Sequence, residues 1–370
     1  MRNLRFSVRQ LYYLSGAFLA IFCTSFLSQI IPISPIYISY CFVYLLLIFI
    51  ISHYAIIKCK MPLSSYLPIF LYVGYIYFQS LFEGQNLKYP LLMVMSVSYY
   101  PIGCIIFDQL TKKQIVKICK YLLLTTCFLL ITDCIYRFLH PTELKWVDSF
   151  TFFYKYKMNT IMFTDTNDVG FLILLTMGFI IYLKASKILK IPFYIQLLFF
   201  VLLILSFSRA AIVAYLITFF IFNIYNKLNY AWRFIANAVI VIGVVYLFAL
   251  FLHDGSFLTK IEILQESYTY LLNADFSDLL FGIGYAQSET VLGIYGHNYI
   301  VLYLVEFGLV GLFLFTAMLV TIYIQTKYNA KYLICPYLIA GLSFAPYILP
   351  YFFLYLAIIK RLSTTELSLN

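Results

Sequence analysis

Apolar residues run along this chain in long, nearly unbroken blocks and do not alternate with polar ones. The blocks cover roughly residues 11–31, 36–57, 66–82, 89–107, 116–138, 168–183, 191–206, 210–226, 234–252, 297–323 and 332–359. A bilayer core about 30 Å thick takes roughly 20 apolar residues of helix. Backbone groups in lipid must find their partners internally, so blocks of this kind cross as helices. A membrane barrel would instead alternate apolar and polar positions. The pattern predicts an all-α, polytopic integral membrane protein, a single membrane domain over 1–370, with 11–12 transmembrane helices. Residues 191–226 would make about 54 Å of continuous helix, too long for one crossing, and basic loops flank both ends. A turn at "SFSRAA", residues 206–211, gives two short helices and places Arg209 at the outer face. The last block contains Pro336, Pro346 and Pro350, which break or kink a helix interior. It reads as one broken span or two short ones, and Lys360 and Arg361 at its end favour two. The basic stretch "MRNLRFSVRQ" leads into the first block without a small-residue cleavage site, so that block reads as an uncleaved first helix.

Two polar intervals are long, 139–167 and 253–296. In the second, Thr259 and Glu262 fit a capping box. Leu258, Ile261, Leu264, Tyr268, Leu271 and Leu272 recur at helical spacing, which predicts an amphipathic helix lying on the outer interface.

Charge orients the spans. Arg2, Arg5 and Arg9 precede the first block, and Lys58 and Lys60 follow the second. Lys112, Lys113, Lys117 and Lys120 follow the fourth, and Lys184, Lys187 and Lys190 the sixth. Lys227 and Arg233 follow the eighth, Lys327 and Lys331 the tenth. Of the 15 acidic residues only Asp108 lies in those loops. The positive-inside rule makes them cytoplasmic and the two long loops periplasmic. The net charge of +10 is thus a topology signal that basic loops on anionic lipid account for, and it implies no nucleic-acid partner. Composition agrees: 64% of residues are hydrophobic and 11% charged, against about half and a quarter in soluble domains. The eight cysteines lie in apolar blocks or beside basic loops with no C-x-x-C, which predicts neither a disulfide nor a cysteine metal site.

Three outer clusters could carry chemistry. Lys155, Lys157, Asp165, Asn167 and Asp168 end the first long loop. Ser206, Ser208 and Arg209 form the tight turn. His297 and Asn298 open the tenth block, with Glu306 further in. A guanidinium between two apolar helices is expensive; it is either a snorkelling anchor or an anion clamp whose planar fork matches phosphate. His297 is either an interfacial polar residue or a proton acceptor, its unperturbed pKa lying near 6.5. Glu306 shares a helix face with Tyr299 and Tyr303, which predicts a buried structural hydrogen bond. Gly308 and Gly311 suit close helix packing. No phosphate-binding loop, H-E-x-x-H or EF-hand loop is present, and "FGIGYAQ" lacks the full dinucleotide fingerprint.

Four of these pieces, in order, resemble the O-antigen polymerase and O-antigen ligase family of bacterial inner-membrane glycosyltransferases. "MFTDTNDVGF", 162–171, is similar to its aspartate–x–asparagine stretch entering a span, and "LSFSRAAIVAYL", 205–216, to its serine–arginine turn. "LLFGIGY", 279–285, resembles the glycine pair late in its long outer loop. "HNYIVLYLVEFGLVG", 297–311, resembles its histidine–asparagine helix. The likeness covers roughly 150–320. Where many relatives carry arginine before the aspartate–asparagine stretch, this chain has Lys155 and Lys157, which keep charge but lose the bidentate fork.

The resemblance implies glycosyl transfer at the periplasmic face of the inner membrane from an oligosaccharide on undecaprenyl diphosphate, without metal or cofactor. His297 would be the base or hydroxyl positioner. Arg209, with Lys155 or Lys157, would hold the diphosphate, and Asp165, Asn167, Ser208 and Asn298 would line the substrate site. Membrane lipid, a flippase and a chain-length regulator are the partners such an enzyme works beside. Polymerase is favoured over ligase because no segment suggests a lipid A-core acceptor site. A capsule polymerase would look the same. A flippase, the rival class, would spread its charges through a central cavity, whereas these gather at one face.

Overall fold

The structure, a computed structural model, describes residues 8–52, 63–82, 87–143, 152–233, 255–344 and 346–365, together with 235 and 237. It is helical, with no strand among the described residues. Helices α1 (Val8–Phe22), α2 (Pro35–Ser52), α3 (Leu67–Phe82), α4 (Lys88–Asp108) and α5 (Lys112–Leu139) come first. Next are α6 (Thr166–Ala185), α7 (Phe193–Leu205) and α8 (Arg209–Asn223). The second long loop holds α9 (Gly255–Asn273), α10 (Phe276–Phe281) and α11 (Ser288–Leu292). Helices α12 (Tyr299–Glu306), α13 (Gly308–Gln325), α14 (Lys331–Gly341) and α15 (Pro350–Thr365) complete the chain. Four of them, α4, α5, α6 and α13, are long and apolar enough to cross a membrane, and α7 and α8 are shorter apolar helices. The expected span over 234–252 lies outside the described residues apart from 235 and 237.

The bundle is organised around α15, buried continuously from Leu349 to Lys360, as befits a helix apolar on nearly all sides. It packs most extensively on α4. Gly103 makes that approach close, since a Cβ there would lie 2.8 Å from Ala357 Cβ.

The two ends of the bundle differ. At one end the basic turns converge. Arg361 Nε donates to Phe107 O at 3.0 Å and its guanidinium reaches Leu110 O at 3.2 Å, beside Asp108. Lys327 Nζ donates to Ser363 O at 3.2 Å, and Tyr182 OH at the end of α6 meets Ser363 Oγ at 3.3 Å. At the other end lie the α7–α8 turn, the starts of α6 and α12, and the 342–349 turn. Helix α14 leaves the basic end and α15 returns to it, so the proline-rich block forms two helices, as favoured from its terminal charges. The α7–α8 turn falls at Ser206–Ser208, where length and flanking charge placed it.

Two expectations are corrected. Residues 297–323 do not form one helix. The chain breaks at Phe307, and Gly308 takes φ +64°. Helix α12 has 8 residues, about 12 Å, and α13 resumes in a new direction. A break inside an apolar bundle strands carbonyls that need donors from other elements. Helix α3 supplies donors here and at the adjoining end of α10: the Tyr75 hydroxyl, with one proton to give, lies 2.7 Å from both Phe281 O and Phe307 O, and Gln79 Nε2 donates to Phe281 O at 2.9 Å and to Glu306 O. Gly308 therefore serves the break and its packing against Gly282. A Cβ on either glycine would collide with backbone beside the other. Second, α9 starts at Gly255, so Thr259 and Glu262 lie inside the helix and form no capping box. After Gly255 the run Ser256, Phe257, Leu258 contains nothing that stops a helix, and the local cap signal loses. Its apolar residues divide: Ile263 is buried, while Leu258, Leu264, Tyr268 and Leu272 are exposed.

The glycine interlock can be measured. Gly293 also has positive φ, +68°, but a Cβ there meets nothing within 4 Å. Gly293→Ala should carry only the left-handed penalty of about 1–2 kcal/mol. Gly308→Ala adds backbone collision and should lower the thermal unfolding midpoint of the detergent-solubilised protein several times further. Equal shifts would mean that the break does not depend on the contact.

Candidate active site

The framework begins in α5, where Asp133 and Arg137 stand one turn apart and fully buried. Arg137 Nε donates to Asp133 Oδ2 at 2.8 Å. A buried ion pair survives only if its remaining polar atoms are also met. Here Arg137 Nη1 donates to Tyr156 O at 3.1 Å and Leu205 O at 2.9 Å, while Asp133 Oδ1 accepts from Ile161 N at 3.0 Å. One pair thus holds the segment carrying Lys157 and Asp165 against the turn carrying Ser208 and Arg209.

Asp165 caps α6. Its Oδ1 accepts from Asn167 N at 3.0 Å and its Oδ2 from Asn167 Nδ2 at 2.9 Å, satisfying donors that a helix start leaves open. One turn on, Gly170 has no room for a side chain, because a Cβ would strike Ser208. The aspartate–asparagine stretch and the serine–arginine turn therefore touch. Ser208 is buried, and Arg209, half-buried, begins α8. Lys157 joins them. Burial holds its ammonium pKa below the usual lysine value, with Arg209 pushing the same way and Asp165 opposing. Lys155 lies on the short 3-10 turn Phe152–Tyr156 just before Lys157, where its carbonyl accepts from Thr142 N at 2.8 Å. The Lys157 charge acts on His297.

His297 precedes α12, and Asn298 caps that helix by accepting from Ile300 N at 2.8 Å. The His297 ring is half-buried, 5.3 Å from Tyr295 and 6.5 Å from Phe344 between centroids. Burial lowers its pKa below the ordinary 6.5. Lys260 and Lys157 push in the same direction and Asp165 opposes them. Lys260, from α9, donates to Ser343 Oγ and so fastens the second long loop to the segment after α14. Sequence reasoning missed Lys260 as a site residue. The available signal was its isolation as the only Lys or Arg in 253–296.

Glu306 is fully buried with a structural role, but its partners are not the expected ones. Its carboxylate accepts from Ala286 N at 3.0 Å, Ser288 N at 3.3 Å and Tyr347 OH at 2.8 Å. Tyr303 bonds Tyr72 instead, OH to OH at 2.7 Å. Glu306 thus anchors the glycine loop after α10 and the 342–349 turn to α12, on which His297 and Asn298 are mounted.

All three clusters and Lys260 therefore meet at one end of the bundle, opposite the basic turns. Lys157 and Lys260 bring positive charge to bear on His297, whose pKa is lowered, and Arg209 acts on Lys157, a combination suited to an anion and a proton acceptor in one reaction. Among the described residues no group of three or more His, Cys, Asp or Glu gathers to hold a metal. No protein-family model matches the chain, and no curated protein matches it.

The Asp133–Arg137 framework predicts a thermodynamic cycle. Arg137→Ala leaves a buried carboxylate uncompensated and should cost about 3–5 kcal/mol of stability. Asp133→Asn combined with Arg137→Met removes both charges and should be less destabilising than Arg137→Ala. Denaturation of the purified protein distinguishes them, and an additive double variant would deny the pair its role.

Proposed function

We propose that this protein is a surface-polysaccharide polymerase of the inner membrane. It joins oligosaccharide repeat units carried on undecaprenyl diphosphate, with its site at the periplasmic face. The carrying observation is that Lys157 and Lys260 bear on His297, with Arg209 acting on Lys157, at the end of the bundle away from the basic turns. The four long apolar helices support the membrane setting. In this reading a hydroxyl of the acceptor sugar attacks the anomeric carbon of the donor glycan. The new C–O bond forms as the bond to the diphosphate oxygen breaks, and the hydroxyl proton passes to His297. The lipid diphosphate leaves with the bonding pair, its charge met by Arg209 and the lysines. Cations already fixed in place stabilise the charge that develops on a leaving group without having to reorganise as it forms. Asp165 and Asn298, already engaged as caps, shape the mouth of the site.

A strain lacking the gene should carry lipid A-core with a single repeat unit. Complete loss of attached repeats would indicate a ligase, and repeats trapped on the cytoplasmic leaflet a flippase. Arg209→Ala and His297→Ala should each reduce transfer by about 10²–10³ at matched membrane levels, and Arg209→Lys should fail through loss of the fork. Long polymer from either alanine variant would remove the site.

The pH dependence follows from the lowered His297 pKa. Neutral imidazole is the active form, so transfer should hold through pH 6.5 and fall only as pH drops through the lowered pKa. In His297→Gln the residual rate should lose that acid limb. A limb above pH 6.5, or one that survives the substitution, contradicts the base role.

A further inference from the structure

We infer that a row of aromatic side chains leading away from His297 binds the pyranose rings of the glycan, an inference that rests on the transferase reading. Four separate segments build the row. The 342–349 turn gives Phe344 and Tyr347, the approach to α12 gives Tyr295, the loop after α10 gives Tyr285, and the start of α4 gives Tyr89. Phe344 and Tyr295 flank the histidine ring at 6.5 and 5.3 Å. Tyr285 packs on Tyr347 at 5.0 Å and stacks on Tyr89 at 5.9 Å with their planes 15° apart. The Tyr295 phenol lies within electrostatic reach of Tyr285, which joins the two halves of the row. Tyr89 is 44% exposed and the other four rings are half-buried, so the row remains partly open.

Pyranose rings suit such a surface. Their faces present C–H groups, and an aromatic face carries the negative end of a quadrupole that attracts them. Charge gives the site a direction. Cations dominate around His297, where Lys260 and Lys157 outnumber Asp165. The charges acting on Tyr295 are the carboxylates Glu306 and Asp168. A diphosphate is drawn to the Lys157–Arg209–Lys260 side, which leaves the rings to the sugars. An interfacial aromatic belt spreads its rings around a protein's circumference; these rings stack on one another beside one histidine. The platform is also preorganised, because Tyr285 follows the glycine loop that interlocks with the α12–α13 break. Lys88, with Nζ 5.7 Å from the Tyr89 centroid, is a group that a sugar would displace there.

The test uses the full-length protein in detergent and the repeat-unit oligosaccharide freed by mild acid from the polyprenyl carrier of a deletion strain. Saturation-transfer NMR should show contact at ring C–H protons. Tyr89→Leu, chosen because the position is exposed, should weaken binding about 3- to 10-fold with an unchanged unfolding midpoint. Tyr89→Phe should bind like wild type. His297→Ala should lose transfer whatever its affinity for the free glycan. Absence of ring contact with wild type, unchanged affinity in Tyr89→Leu, or equal loss in Tyr89→Phe would overturn the platform. Polymer made by His297→Ala would overturn the proposed reaction instead.

Discussion

The site depends on a guanidinium buried where neither water nor lipid can satisfy it. Arg137 must use its donors inside the protein, and they bind Asp133, Tyr156 O and Leu205 O. Those acceptors lie on three stretches that are distant in sequence. Burial therefore turns one side chain into the junction at which α5, the first long loop and the α7–α8 turn are held in register. Lys157 and Arg209 share an electrostatic environment because the backbone beside each is tied to this group. Such a pair adds little net stability against an apolar replacement, but losing one member is severe. Its value here lies in position.

The second half of the site follows the same logic with neutral groups. The break at Phe307 exposes carbonyls, and α3 answers with a phenol and an amide. The glycine loop presses into the gap so tightly that Gly282 and Gly308 exclude each other's side chains. Glu306 then collects two backbone amides of that loop and the Tyr347 hydroxyl. The histidine and the tyrosines around it stand on structure fastened from three sides.

Much of the helical layout was legible in the sequence, because block length and loop charge are local properties. The α7–α8 turn could be placed within a few residues since no single helix of that length fits a bilayer. The juxtaposition of Asp165, Ser208 and Arg209 was anticipated only through the resemblance. What stayed hidden required partners far along the chain. Gly308 reads as an ordinary packing glycine until the Gly282 loop is placed against it. Thr259 carries a cap signal that only the upstream course of α9 cancels. Glu306 was expected to bond along its own helix, yet its oxygens face another loop. Lys260 sat within an apolar periodicity that pointed elsewhere. Arg137, four residues after Asp133 in an apolar block, was the most readable of the missed residues.

The donors that seal the α12–α13 break are separated from their acceptors by most of the chain: Tyr75 from Phe307 by 232 positions and from Phe281 by 206. The bond to Phe307 cannot exist until synthesis has passed that residue. Helix α3 is made early and must carry Tyr75 and Gln79 without those partners while later segments are still being delivered. The carbonyl stranded at Phe307 therefore meets its donor late in assembly, and a chain interrupted before Phe307 lacks the fastening that holds α12 and its histidine in place.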